Sequence, residues 1–391
     1  MITRPLTRGW KNTLPLLALL GVVAACGSTS TAPSATATGV AATAKPASAN
    51  VLGAAYDTTT TSSVTLTGAG ANSIEPFFET VFYQYGQKDT NTTINYSPAG
   101  SSVGVTDIQQ GTVNFGDSEI PMTTSQLAAA TGGTVLQIPV DLGGVAISYD
   151  APGVPAHLKL DGPTLASIFD GSITNWDDPA IAALNSGATL PNLAIKAVHR
   201  ADASGPGYDL DQYLIDTAPA WVTKIGTSTP SRTWPEATVG IGEQLNTGVA
   251  TYISQTSGSI GFVEYGYALQ NGFVNADILN AAGAYVTPNE ASIAAAGAEA
   301  TSLSPTDFNV VNEVGAGTYP IANFSWTLVY QKQSSTATGI ALGKLFDWVV
   351  TAGQADAAAL GYAPLPANVA ALAHSTILEL EGSNGTPLFT S

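Results

Sequence analysis

Cysteine is almost missing from this chain: Cys26 stands alone in 391 residues, so no internal disulfide can form. Histidine is nearly as scarce, with His157, His199 and His374 far apart and no CxxC or His-x-x-x-His spacing. That pattern excludes a transition-metal centre, and no cofactor is expected. Charge is thin as well, at 10% of residues, and it is one-sided: 12 Lys and Arg face 29 Asp and Glu, for a net charge of −17. Without a basic stripe the chain has no electrostatic footprint for nucleic acid. An anionic ligand would have to be held by local dipoles and one or two cations, against the field of the whole protein. Long apolar runs are absent too. The longest, Leu14 to Ala25, is too short for a confident membrane span.

What is present begins with a leader. Arg4, Arg8 and Lys11 precede that apolar run, and the lone cysteine follows Val23-Ala24-Ala25 directly. The arrangement resembles the bacterial lipoprotein cleavage box, with 1–25 as signal peptide and Cys26 as the lipidated residue. The alternative is an ordinary signal peptide with an incidental cysteine. Removing 1–25 leaves 9 basic residues against 29 acidic ones. Residues 26–63 follow as a Ser/Thr/Ala-rich tether that cannot bury enough apolar surface to order itself. Its root-mean-square reach would be roughly 30–35 Å.

From Val64 onward, strand and helix patterns alternate, the rhythm of a doubly wound sheet whose ligands sit at the carboxyl ends of strands. Val64–Thr67 alternates like a strand and leads through glycines to Asn72-Ser73 and a helix from Pro76. Thr93–Ser97 leads to Gly100-Ser101-Ser102 and a second helix. Val113–Gly116 ends at Asp117-Ser118-Glu119. Val135–Ser148 reads as a strand crossing to a second lobe, Tyr319–Tyr330 as the strand returning, and a helix around Leu345–Val349 as the closing element. The aromatics Phe77, Phe78, Phe82, Trp326, Phe346 and Trp348 stand at core spacing.

The turn from His199 to Gly207 carries one arginine, one carboxylate, one hydroxyl and small residues between a strand and a helix. Free N–H groups at the positive end of a helix dipole, beside the rigid donor fork of Arg200, suit an oxyanion. The competing reading is a solvated turn in which Arg200 simply pairs with Asp202.

In order along the chain, Thr67-Gly68-Ala69-Gly70-Ala71, Gly100-Ser101-Ser102-Val103-Gly104-Val105, Val113-Asn114-Phe115-Gly116, Trp176-Asp177-Asp178, Arg200-Ala201-Asp202 with Ser204-Gly205, and Ile260-Gly261-Phe262-Val263-Glu264-Tyr265 resemble the substrate-binding proteins of bacterial phosphate-specific ABC transporters. The resemblance implies a two-lobed periplasmic-binding-protein type II fold. Each lobe would be an α/β sheet flanked by helices, with crossover strands between them. It sets 64–146 and 319–391 in the first lobe and 147–318 in the second. It implies ligand contacts at Asn72, Ser73, Ser101, Glu119, Arg200, Ser204, Gly205 and Pro206, with the N–H of Ser102 as a further donor and Asp202 behind Arg200.

Four positions depart from the family pattern. Asn72-Ser73 replace Thr-Phe, Glu119 replaces Asp, and Pro206 replaces Thr and has neither hydroxyl nor N–H. An ionised Glu119 tolerates an anion that carries a proton, as phosphate does at neutral pH and sulfate does not. The implied function is extracytoplasmic capture of phosphate by a lipid-anchored monomer and delivery to the permease and ATPase subunits of an ABC importer. A binding protein for another oxyanion or small solute is the main alternative, and a surface scavenger or sensor working without a permease is another. Gly100 to Gly104 also fits a Gly-x-Ser-x-Gly nucleophile elbow, so a serine esterase using Ser102 is the enzyme-class alternative.

Overall fold

The computed structural model describes residues 62–389 apart from 301, 302, 305, 306 and 308. The expected signal peptide, Cys26 and most of the tether lie outside the described residues.

The first half of the fold alternates strand and helix: β1 (Val64–Gly70), α1 (Glu75–Lys88), β2 (Thr92–Ser97), α2 (Ser101–Gln110), β3 (Phe115–Ser118) and the short α3 (Thr124–Ala128). A long strand, β4 (Val135–Asp150), then carries the chain across. Beyond it come β5 (Lys159–Leu160), α4 (Gly162–Phe169), α5 (Pro179–Leu184), β6 (Lys196–Arg200), α6 (Gly205–Thr217), α7 (Pro219–Ile225), β7 (Ile241–Glu243), α8 (Leu245–Gln255), β8 (Ser259–Glu264) and α9 (Tyr265–Asn271). Short strands β9 (Val274–Asn275), β10 (Asp277–Leu279) and β11 (Tyr285–Val286), then α10 (Glu290–Glu299) and β12 (Val310–Val311), precede the return strand β13 (Ile321–Tyr330). Helices α11 (Thr336–Val350) and α12 (Ala367–Ile377) follow.

The main sheet runs β2-β1-β3-β13-β4-β8-β6-β7. Its two wings, β2-β1-β3 and β8-β6-β7, are parallel, as strand–helix–strand crossovers require. Between them β13 pairs antiparallel with the first part of β4, Val135–Gly144, with a bulge at Ser325/Trp326, and the rest of β4 pairs with β8. All of β4 except its last residue is buried, which explains its nearly unbroken apolar reading. The α/β lobes and crossover strands expected from the sequence are therefore present.

Each wing has its own core. Leu66, Phe77, Phe78, Phe115 and Phe346 cluster in the first, and Leu165, Trp176, Leu210, Trp221 and Phe262 in the second. One expectation fails. The helix around Leu345–Val349 does not close the chain, because α12 follows it and adds Val369 to the second core and Ala373 and Ile377 to the first. The Gly361 turn and Pro364 and Pro366 redirect the chain between the two helices.

Candidate functional site

Four strand ends converge where the lobes meet. From the first lobe come Ala71-Asn72-Ser73 after β1, Gly100-Ser101 after β2, and Asp117-Ser118-Glu119 at the end of β3. From the second comes the turn between β6 and α6, carrying Arg200, Asp202, Ser204 and Gly205. Small residues make the approach possible. A Cβ on Gly104 would lie 2.4 Å from the Asp117 carbonyl oxygen, so only glycine lets α2 settle onto β1 and β3. A Cβ on Gly205 would lie 2.1 Å from Glu119 Oε2, so the carboxyl of the first lobe rests directly on the first turn of α6.

The donors are set as follows. Ser204 caps α6, its Oγ accepting the Gly207 N–H at 3.3 Å, which leaves its own hydrogen to donate elsewhere. Ser101 Oγ accepts the Glu119 N–H at 3.4 Å and is likewise free to donate. Arg200, 1% exposed, gives Nε to Asp202 Oδ1 at 2.8 Å and Nη2 to Asp202 Oδ2. Asp202 Oδ1 also accepts the Leu245 N–H at 3.0 Å, which fixes the guanidinium from behind. Burial alone would raise Asp202, but Arg200 holds its carboxyl below the usual range. The arginine–aspartate pair of the solvated-turn reading thus exists, but it is buried.

Two atoms remain. Among the described residues, Arg200 Nη1 and Glu119 Oε2 are buried without a hydrogen-bond partner. Glu119 is 5% exposed, and its Oε1 accepts from Asn323 Nδ2 at 3.2 Å. Burial pushes its carboxyl up to about 7, against the opposing pull of the Ser73 hydroxyl, the Arg200 charge and the Asn323 amide. An unmet donor and an unmet acceptor, both desolvated and beside two free hydroxyl hydrogens, suit an anion that also carries a proton.

Asn72 and Ser73 also reach the second lobe. Asn72 Oδ1 accepts the Asn246 N–H at 2.8 Å, and its Nδ2 donates to Glu75 at 2.6 Å and to the Tyr267 hydroxyl at 2.8 Å. Asn246 Nδ2 reaches Ser73 Oγ at 3.1 Å. These two residues therefore latch the first lobe to α8 and α9 of the second. Ser102, by contrast, is exposed on the first turn of α2.

A family model described as a PBP superfamily domain matches residues 36–352. The phosphate-binding protein PstS of Xylella fastidiosa is 38% identical over 312 residues, covering 79% of this chain and 84% of that protein. PstS of Pasteurella multocida is 38% identical over 313 residues, 79% of this chain and 89% of its own. The chain belongs to the PstS family of phosphate-binding proteins. Its fold is also that of solved structures at lower identity. A high affinity periplasmic phosphate-binding protein bound with phosphate (PfluDING) aligns with a TM-score of 0.64 at 19% identity, over 80% of this chain and 93% of that one. The phosphate binding protein of Stenotrophomonas maltophilia aligns with a TM-score of 0.63 at 17% identity, over 80% and 94%.

Within the PstS frame, Pro206 falls in the first turn of α6, where a missing N–H costs the helix nothing. Sequence reasoning missed Asn246, Tyr267, Asn323 and Asp209, and no local motif marks any of them. The three histidines are all engaged away from Ser102. His157 lies 3.1 Å from Asp277 and His374 3.5 Å from Asp347. His199 Nδ1 sits 3.0 Å from the Arg200 carbonyl oxygen while its ring stacks on Trp234.

Proposed function

We infer that this PstS-family chain captures inorganic phosphate between its lobes, outside the cytoplasmic membrane, and hands it to an ABC-type import permease. The observation that carries this reading is the buried pair of unmet atoms, Arg200 Nη1 and Glu119 Oε2. Phosphate fits both. An unprotonated oxygen takes the guanidinium and the hydroxyls of Ser101 and Ser204. The N–H groups that open α2 and α6, at Ser102 and Gly205, add the helix-dipole contribution. The P–OH donates to Glu119. Asn72 and Ser73 favour the closed form through Asn246 and Tyr267, so ligand and latch act together on closure. The lipoprotein-like box at Cys26 supports anchoring of the chain to the membrane by a lipid, with the following tether letting the lobes reach a permease.

Arg200→Ala tests the reading. Removing one partner of a buried charged hydrogen-bond set weakens binding by roughly 30-fold or more. Titration calorimetry with phosphate should show that loss in a variant that still folds. Unchanged affinity would remove Arg200 from the site and the reading with it.

A further inference from the structure

Behind Glu119 lies a small cavity of about 110 Å³, lined among others by Tyr208, Asp209, Gln212, Asn323 and Phe324. Asp209 is 6% exposed, and its Oδ2 is buried with no partner among the described residues. Glu119 Oε2 is unpartnered too and borders the same space. Asn323 stands between carboxylates. Its Nδ2 donates to Glu119 at 3.2 Å and to Glu264 at 3.4 Å, and the amide also faces Asp209.

We propose that Asp209 is a specificity-determining residue of the anion site: facing Glu119 across this cavity, it must carry a proton for the lobes to close on phosphate, and its ionisation expels the ligand. This rests on the phosphate reading above and extends it to the second lobe.

The surroundings of Asp209 make the case. Glu119, just past β3, is the charge that acts on Asp209; of the strands packed on α6, β4 carries Asp141, β8 carries Glu264, and β13 offers the neutral Asn323. On α6 itself stand Tyr208 and Asp211, the latter bound to Trp221 Nε1 and the Ser231 N–H at 2.7 Å each. Asp307 rims the cavity. None of the ion pairs among the described residues involves Asp209: Arg200 pairs with Asp202 and Lys224 on α7 with Asp170 at 3.4 Å, while Arg232 donates to the Pro121 carbonyl. A second negative charge here, beside Glu119 and an incoming anion, has no ion-pair partner. Burial first, then the charge of Glu119, raises Asp209 well above the ordinary carboxyl range, with Asn323 opposing. Opening the lobes readmits water and returns the group to its ordinary range. Closure on phosphate therefore takes up a proton at Asp209. The closed form has its full advantage below the ordinary carboxyl range of the open state, and that advantage is lost progressively as pH climbs to the raised value.

The test is phosphate titration of the full chain and of Asp209→Asn between about pH 4 and about pH 9. The amide mimics the neutral acid and cannot ionise. Phosphate's own ionisation affects both proteins and cancels in their ratio. The two affinities should agree at the acid end. At the alkaline end the native chain should bind about tenfold or more weakly than Asp209→Asn. Parallel profiles overturn the proposal while leaving phosphate capture intact, whereas no phosphate binding by the native chain at any pH overturns both. If the variant does not fold, proton uptake decides the matter. Calorimetry of the native chain in two buffers of different ionisation enthalpy should give uptake on binding at about pH 8, and zero uptake or proton release contradicts the proposal.

Discussion

At the scale of single residues, the closed site depends on contacts with no slack. Gly205 is the tightest, since a Cβ there would meet Glu119 Oε2 at 2.1 Å and Glu119 Cβ at 2.4 Å. Both sit on rigid elements, one on the first turn of α6 and the other at the end of β3. Gly205→Ala should hold the lobes apart and weaken phosphate binding by about tenfold or more, with little change in unfolding midpoint. Calorimetry beside thermal unfolding separates the two effects, and equal affinity would show that Glu119 can move aside. The longer acid at position 119 also sharpens the role read from the sequence. Glu119 rests against Gly205 of the second lobe and accepts from Asn323 on the return strand, which places it at the seam between the lobes.

At the scale of elements, α2 lies against two strands through a glycine. A Cβ on Gly104 would stand 2.4 Å from the Asp117 carbonyl oxygen and 2.8 Å from Gly70 Cα, all backbone with no room to yield. Gly104→Ala should therefore destabilise the fold by about 1–3 kcal/mol in urea unfolding. A neutral result would mean that α2 can lift off the sheet. This level was largely legible in the sequence. Alternation marked β1 and β2, and glycine and serine marked the turns into α2 and α6. A buried crossover strand explained the apolar run of β4. What was not legible is what depends on pairing across the fold. Asn246 meets Asn72 from 174 residues away and nothing near it announces a latch. Asp209, within Tyr208-Asp209-Leu210-Asp211, reads as one more acid on a solvated helix face. Only the packing of α6 against β13 and β8 reveals that it is buried. The extra helix α12 was missed because proline and glycine signals mark breaks in a chain and do not say whether it resumes.

At the scale of the whole molecule, the protein is strongly acidic, and the proposed site would hold its anion by one arginine, two hydroxyls and two helix termini. The buried carboxyls Asp117, Asp141, Asp209 and Glu264 around the crossover strands are all raised well above their ordinary range by burial. In the proposed site a single proton shared between Glu119 and the ligand decides which anion is admitted. Phosphate supplies that proton itself. Sulfate can enter only when Glu119 is protonated, below its value of about 7. A site built around a ligand hydroxyl rejects an analogue without it by roughly 10⁴–10⁵-fold when nothing else compensates. The measurement that bears most directly on this account is calorimetric titration of the ligand-free chain with phosphate and with sulfate at about pH 8.5, where Glu119 is mostly ionised. One phosphate should bind per chain, with sulfate failing to compete even in large excess. Sulfate binding as tightly as phosphate at that pH would contradict it.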